Sequence, residues 1–273
     1  MEIKKEIQRE YNPEHPNYVR WQKARDLSNH RAKFVESVLS TEVVTNGLNI
    51  LDIGAGEGYT SKLLAKKNYV VSLEPKPERI ERISKTENLF PVIGDSLKLP
   101  FNIQYFDIII FQDVIEHLKV NNKMIDNLTS LLKHDGIIYL STPNKYSLIN
   151  IVSDPHWGMP IISLFNRNQI KKYFLRNFRK SDYQREDVAE LLSLKKIYDL
   201  FGQSFSIQIF TRFSVAYLLN GGKGLVWSNF HLRLVKMVNL FGLNKTLMRI
   251  ANDNSGIINK FFTPTFYIIL KKK

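Results

Sequence analysis

The chain has 273 residues, 44% of them hydrophobic and 24% charged, which is enough apolar material for one large buried core. It contains no cysteine, so disulfides, cysteine-based zinc sites and thiol chemistry are excluded. The net charge of +13 favours anionic partners such as nucleic acid, an acidic membrane surface or phosphorylated substrates. Because the basic residues are spread along the chain, charge alone leaves the partner open.

The sequence lacks the signals that direct a chain into or across a membrane. No run reaches the roughly 18 uninterrupted apolar residues that span a bilayer. The N-terminus begins Met1–Lys5 and has no apolar signal region, so we do not expect export. We therefore expect a cytoplasmic protein, and peripheral contact with the inner face of the membrane is an alternative location.

A glycine-spaced loop is the centre of the predicted fold. Asn49–Ile53 is typical of a buried strand, and Gly54, Gly56 and Gly58 follow at alternate positions before a helix begins. Glycine accepts positive φ and lets the backbone approach a ligand closely. Such a loop after a strand is where open α/β sheets bind nucleotides, although the dinucleotide fingerprint would place its third glycine one residue later. The Asp52 carboxylate suits a ligand with ammonium and sulfonium groups better than it suits a pyrophosphate.

Strands and helices alternate along the chain as a doubly wound parallel sheet requires. Apolar residues at helical spacing predict one or two helices from Arg20 to Leu39. After the first strand, further strands are predicted at Tyr69–Glu74, Phe90–Ile93, Phe106–Gln112, Ile137–Leu140, Phe205–Phe210 and Pro264–Leu270, and helices at Met124–Leu132 and Val188–Leu200.

An insertion of about 211–263 separates the last two predicted strands, and it is too long for a simple loop. Helical spacing in this insertion produces an apolar stripe, formed by Trp227, Phe230, Leu234, Val238 and Phe241. A stripe of this kind fits the buried side of a cap helix, which is the interpretation we favour. The alternative is a helix that lies on an anionic membrane surface.

The segment Leu51–Gly58 resembles motif I of the class I S-adenosylmethionine-dependent methyltransferases. The resemblance covers roughly residues 45–145 and implies S-adenosyl-L-methionine as cofactor. It assigns Glu74 to the ribose hydroxyls and Asp95 to the adenine amino group. The full implied set of cofactor-binding residues is Asp52, Gly54, Gly56, Gly58, Glu74, Asp95 and Asp113.

The same resemblance implies the architecture of the chain. The expected fold is α/β, a Rossmann-like doubly wound sheet of seven mostly parallel strands with a reversed last strand and a helical insertion. Residues 1–43 are expected to form an N-terminal helical lid, and residues 44–150 the cofactor-binding core. Residues 151–273 would complete one integrated domain with the remaining strands, an acceptor-side loop and the insertion.

Two histidines are candidate catalytic bases, because a neutral oxygen acceptor needs a base within about 2.6–3.2 Å. His117 follows the fourth predicted strand and His156 follows the fifth. Asp113, Glu116 and His117 stand at i, i+3 and i+4, so they would share one face of a helical turn and could hold a divalent cation. Since metal-free relatives carry the same Glu-His pair, we predict no metal here.

Resemblances to three groups of methyltransferases suggest which class of molecule accepts the methyl group. The acid-x-x-Glu-His segment resembles ubiquinone-biosynthesis O-methyltransferases and, together with Ser141–Asn144 and His156, small-RNA 2′-O-methyltransferases. Asp154–Pro160, with Ile161–Arg167 after it, resembles methyltransferases encoded with cell-envelope polysaccharide genes. This resemblance implies that His156, Trp157 and Arg167 contact the acceptor; the alternative is a packed loop with a surface arginine.

We predict transfer to an oxygen of a small or carrier-linked acceptor, such as a sugar, a lipid or a quinone-like molecule. The alternatives are a magnesium-dependent RNA 2′-O-methyltransferase, with nucleic acid the less favoured partner, and a non-catalytic cofactor-binding scaffold.

Overall fold

The computed structural model describes residues 11–95, 99, 101–226 and 229–273. The chain divides into two compact units. The first comprises Met1–Lys98 with Arg212–Ala251, and the second comprises Leu99–Thr211 with Asn252–Lys273.

The first unit carries parallel strands β1 (Asn49–Ile53), β2 (Tyr69–Glu74) and β3 (Leu89–Ile93). Phe34, in helix Ser28–Leu39 of this unit, is buried, and the centroid of its ring lies 5.0 Å from that of the Tyr217 ring. This contact packs the insertion against the N-terminal helices. The described helices that contribute to this unit are Tyr18–Asp26, Ser28–Leu39, Tyr59–Leu64, Pro77–Ile80, Thr211–Leu219, Asn229–Leu240 and Asn244–Ile250.

The second unit carries β4 (Phe106–Gln112), β5 (Leu132–Pro143), β6 (Phe205–Ile209) and β7 (Thr265–Lys272). β4 pairs parallel with β5, and β7 runs antiparallel to both β5 and β6. The described helices are Asn122–Leu131, Leu148–Val152, Arg167–Gln169, Arg176–Phe178, Leu194–Phe201 and Ile257–Phe261, with a π-helix at Ile170–Leu175 and 3₁₀ turns at Ile115–His117, Ile162–Leu164 and Lys180–Asp182.

Within the described residues, seven strands form one mixed sheet in the order β3-β2-β1-β4-β5-β7-β6. The central strands are mostly apolar because both of their faces are covered; Ile108, Ile109 and Ile110 of β4 are fully buried. The mixed α/β sheet with its reversed last strand confirms the predicted fold class.

Two local predictions were wrong. The helix predicted over Val188–Leu200 begins only at Leu194, because the Ser193 side chain caps it by accepting the Lys196 N–H at 3.1 Å. Leu192, in the extended segment before the cap, forms a parallel bridge with Asn144. Because the segment before Leu194 is extended and not helical, residues 187–190 contact the turn that follows β4.

The insertion also differs from the favoured interpretation. Leu234 and Phe241 of the predicted apolar stripe are exposed, and Val238 is half-buried, so the packing interpretation is wrong for these residues. Trp227 and the side chain of Phe230 lie outside the described residues. No helix among the described residues combines the length and the apolarity needed to cross a bilayer.

Candidate functional site

The glycine loop follows β1 in the first unit and has the predicted backbone geometry. Gly54, Gly56 and Gly58 have φ of 70°, 58° and 70°, a region that residues with a side chain rarely adopt. A Cβ added at Gly56 would meet nothing within 4 Å, so the backbone there faces open space. A Cβ at Gly58 would lie 2.9 Å from the Ile83 side chain, which makes the third glycine necessary for packing as well.

Glu74 ties the end of β2 to this loop. Its carboxylate is buried, and Oε2 accepts the backbone N–H of Gly56 at 3.0 Å. Oε1 accepts the N–H of Lys76 at 3.3 Å and lies 3.8 Å from the Arg79 guanidinium. Glu74 therefore fixes the position of Gly56. Predicting the strands from the sequence does not reveal this contact.

Asp52 is the penultimate residue of β1 and is only 2% exposed. The Ser61 hydroxyl donates to its Oδ2 at 2.5 Å. Burial raises the pKa of the Asp52 carboxyl to about 7, the nearby Glu74 charge adds to that rise, and the Ser61 hydrogen bond opposes it. Since burial favours the neutral carboxyl, the stability that this group contributes is present at acidic pH and is lost as the pH rises through about 7.

This raised pKa predicts a pH-dependent cofactor affinity if Asp52 faces a cationic ligand. A bound cation favours the ionised carboxylate, so affinity for S-adenosylmethionine should rise up to about tenfold between pH 6 and 7.5. Calorimetric titration in two buffers of different ionisation enthalpy should detect proton release near pH 6.5. In Asp52→Asn both the pH trend and the proton release should disappear, and their persistence would remove Asp52 from this role.

Two further predicted cofactor residues occupy the ends of strands. Asp95 follows β3 and is exposed. Asp113 follows β4 with φ 56°, a left-handed conformation that aspartate tolerates better than most residues. Its Oδ1 accepts the Ser141 hydroxyl at 2.8 Å, and its N–H donates to the Ser141 carbonyl at 3.0 Å. Asp113 is therefore held against β5 within the second unit.

The N-terminal segment contacts the glycine loop directly. The Tyr11 hydroxyl donates to Glu57 Oε1 at 2.7 Å, and the Arg82 guanidinium reaches the same oxygen at 2.9 Å. The Arg25 and Arg82 guanidinium carbons lie 4.5 Å and 4.7 Å from the Tyr11 ring centroid. The predicted lid segment thus touches the loop through residues that the motif alone does not identify.

The second unit brings Glu116, His117 and His156 together. The Glu116 side chain is buried; its Oε2 accepts the Thr142 hydroxyl at 3.0 Å, and its Oε1 lies 3.7 Å from His156 Nε2. The rings of His117 and His156 meet edge to face, with centroids 5.2 Å apart. The buried Asp154 carboxylate accepts the N–H of His156 at 2.8 Å and thereby shapes the loop that carries this histidine.

His117 is held in one tautomer by a backbone contact. Its Nδ1 lies 2.7 Å from the Asp187 carbonyl oxygen, which can only accept, so Nδ1 carries the proton of the neutral ring. Nε2 then keeps a lone pair. Burial lowers the pKa of His117, the Asp187 contacts oppose that fall, and the Arg185 and Arg167 charges add to it. The side chain is therefore a neutral imidazole with one basic nitrogen at pH 7.

Arg167 supports this turn and is not a surface arginine. Its guanidinium donates to the carbonyls of Val188 at 2.7 Å, Glu116 at 3.1 Å and Leu118 at 3.3 Å. Its backbone N–H donates to Glu190 Oε2 at 3.0 Å. These contacts make Arg167 a positioning residue for His117, whereas Trp157 is buried in an apolar cluster.

The candidate metal ligands named from the sequence differ from the set that the structure assembles. Only Ile115–His117 form the 3₁₀ turn, so Asp113 does not share a helical face with Glu116 and His117 as predicted. Glu116, His117 and His156 each offer one ligand atom, and these atoms lie within 4.8 Å of one another. This is a set of donors that a divalent transition metal accepts, and Asp113 does not belong to it within the described part of the chain.

Comparisons with known proteins define the class. The sequence model of the methyltransferase-domain family matches residues 18–199, and the chain belongs to this family. Together with the mixed seven-stranded sheet and the glycine loop, the match identifies a class I S-adenosylmethionine-dependent methyltransferase domain.

The chain is also similar in sequence to a characterised group of methyltransferases. The ubiquinone biosynthesis O-methyltransferase of Coxiella burnetii is 29% identical over 121 residues, which are 42% of this chain and 50% of the relative. The chain thus matches about half the length of this curated relative.

Among solved structures, the YcgJ protein of Bacillus subtilis has a TM-score of 0.51 at 16% identity, covering 87% of this chain and 97% of that one. Phosphoethanolamine N-methyltransferase 2 of Haemonchus contortus, solved with phosphomonomethylethanolamine and S-adenosylhomocysteine, has a TM-score of 0.50 at 15% identity, covering 86% of this chain and 51% of that one. At these identities the likeness concerns the fold.

Proposed function

We propose that this methyltransferase acts on an oxygen of a small or carrier-linked acceptor, such as a sugar, a lipid or a quinone-like molecule. The observation that carries the proposal is the neutral, tautomer-fixed imidazole of His117. The sulfonium already activates the methyl group, so the protein must align the acceptor and remove its proton. The basic Nε2 of His117 would accept the proton of the acceptor hydroxyl.

The proton balance of this step is simple. The acceptor hydroxyl gives its proton to His117 Nε2, and its oxygen forms the new bond to the methyl carbon. The bound cofactor would supply this methyl group and would retain the electron pair of its carbon–sulfur bond. His156, in edge contact with His117 and beside the Glu116 carboxylate, is the second candidate base.

We further propose that the glycine loop and Glu74, together with Asp52, Asp95 and Asp113, hold the cofactor. The geometry of the glycine loop supports binding of S-adenosylmethionine. The backbone at Gly56 faces open space, and the buried Glu74 carboxylate accepts the Gly56 N–H. The cofactor supplies an electrophilic methyl group when bound.

The relative from Coxiella burnetii supports oxygen as the accepting atom, because it is an O-methyltransferase of ubiquinone biosynthesis. The second candidate function is a magnesium-dependent RNA 2′-O-methyltransferase. It is favoured by the net charge of +13 and by the candidate metal set of Glu116, His117 and His156, although two imidazoles suit a divalent transition metal better than they suit magnesium. A non-catalytic scaffold is the third candidate, and the basic nitrogen of His117 argues against it.

A labelled-methyl screen tests these alternatives together. The chain is incubated with methyl-labelled S-adenosylmethionine and a cell extract separated into small-molecule, lipid and RNA fractions, with and without EDTA. We expect label in the small-molecule or lipid fraction, and we expect EDTA to leave its amount unchanged. Label in RNA that EDTA abolishes would support the second candidate instead, and absence of label from every fraction would support a scaffold.

A further inference from the structure

The insertion departs from the even spread of charge along the rest of the chain. Residues 200–252 contain no aspartate or glutamate. They contain six basic residues, which are Arg212, Lys223, Arg233, Lys236, Lys245 and Arg249. This stretch therefore carries a positive charge that no acidic residue within it offsets, and anionic partners are favoured there specifically.

The same stretch exposes large apolar side chains over two neighbouring helices. Met237 is 51% exposed, Leu240 is 80% exposed and Phe241 is 64% exposed. Leu232, Leu234, Leu243 and Ile250 are exposed as well. Single exposed apolar residues are ordinary, but a run of this density marks a surface that another molecule covers.

Helical periodicity brings the charges and the apolar groups to one side of helix Asn229–Leu240. Arg233 precedes Met237 by four residues, Lys236 precedes Leu240 by four, and Phe241 follows Met237 by four. Residues at this spacing lie next to one another on a helix. We call Arg233, Lys236, Met237, Leu240 and Phe241 the insertion face, and all five side chains are exposed.

We infer that the insertion face binds the anionic surface of a lipid bilayer. Its apolar side chains would enter the boundary between headgroups and acyl chains, while the arginine and lysine keep their charged ends at the level of the phosphates. Acidic residues, which the phosphates would repel, do not occur in this stretch. A helix of 12 residues is about 18 Å long, too short to cross the bilayer, so it lies in the membrane plane.

Two other occupants fit the insertion face less well. A second copy of this chain would bring the same unneutralised basic residues against each other across a twofold interface. Single-stranded nucleic acid needs flat side chains on which bases stack. Phe241 is the only aromatic residue of the insertion face, and its other apolar members are Met237 and Leu240.

Vesicle sedimentation tests the inference with the full chain. Vesicles of phosphatidylcholine alone are compared with vesicles containing 30% phosphatidylglycerol. We expect the chain to sediment with the anionic vesicles, and we expect added salt to weaken that binding. Arg233→Gln with Lys236→Gln should lower the partition coefficient at least tenfold, and Leu240→Asp with Phe241→Asp should abolish binding. The matched control is Ile103→Asp, an equally exposed apolar position in the second unit, which should bind as the unaltered chain does.

Several outcomes would overturn the inference. They are no sedimentation of the unaltered chain with anionic vesicles, equal binding by the insertion-face variants, or a dimer that Leu240→Asp with Phe241→Asp converts to a monomer. Competition by short RNA at the same face would also overturn it in favour of nucleic acid. The variants should keep unaltered affinity for S-adenosylmethionine, which shows that they fold, and the result does not depend on the proposed acceptor.

Discussion

His117→Gln should lower kcat by about 10²- to 10⁴-fold, the range expected for loss of a general base. Glutamine can still donate to the Asp187 carbonyl but offers no basic nitrogen. Affinity for S-adenosylmethionine should stay unchanged, because His117 is not among the residues proposed to hold the cofactor. Steady-state kinetics with the acceptor found by the labelled-methyl screen, together with cofactor titration, separate the two effects.

The pH profile provides a second readout that a structural role would not alter. His117 must be unprotonated to act, and burial lowers its pKa below the ordinary value of 6.5. At saturating S-adenosylmethionine, kcat of the unaltered enzyme should therefore be constant near pH 7 and fall only as the pH drops below 6.5. The acidic fall should vanish in His117→Gln. His134→Gln, at an exposed histidine paired only with the neighbouring Asp135 in the described contacts, is the matched control and should behave as the unaltered enzyme. Full activity in His117→Gln would exclude His117 as the base.

Glu74→Ala should weaken binding of S-adenosylmethionine by about 10- to 100-fold, as loss of a hydrogen bond to a charged group predicts. The substitution removes the acceptor of the Gly56 N–H and the carboxylate that the resemblance assigns to the ribose hydroxyls. Glu74→Gln keeps an oxygen for Gly56 but loses the negative charge, so its loss should be smaller. Calorimetric titration measures all three proteins.

The matched control for Glu74 is Glu81→Gln, an exposed glutamate just beyond the same β2–helix connection. Its affinity should equal that of the unaltered chain. Thermal unfolding without ligand separates a lost cofactor contact from a disordered glycine loop. Unaltered affinity in Glu74→Ala would remove Glu74 from the cofactor site.

Much of the fold could be predicted from the sequence, because the strands are short, apolar and followed by clear turn signals. The glycine loop is the clearest example, since Gly54, Gly56 and Gly58 can adopt their positive φ without steric cost. The helix predicted over Val188–Leu200 was wrong because apolar residues at helical spacing also suit an extended segment that is buried on one side. Ser193, a preferred capping residue, is the local signal that could have placed the helix start.

The site was less predictable, because its decisive contacts join distant parts of the chain. His117 could be named from its motif, but its tautomer depends on the Asp187 carbonyl, 70 residues away. The helical spacing of Asp113 with His117 suggested a shared face that the left-handed backbone of Asp113 removes. The Arg167 guanidinium donates to the carbonyls of Glu116, Leu118 and Val188. No local sequence pattern distinguishes such an arginine from an exposed one.

Titration of the unaltered chain with S-adenosylmethionine and S-adenosylhomocysteine tests the assignment of the cofactor most directly. Isothermal calorimetry should show both ligands binding with a stoichiometry of about one per chain, as a single glycine loop implies. NAD, whose pyrophosphate would face the acidic residues around the loop, should not bind. Tight binding of NAD with no heat from either sulfur compound would contradict the account.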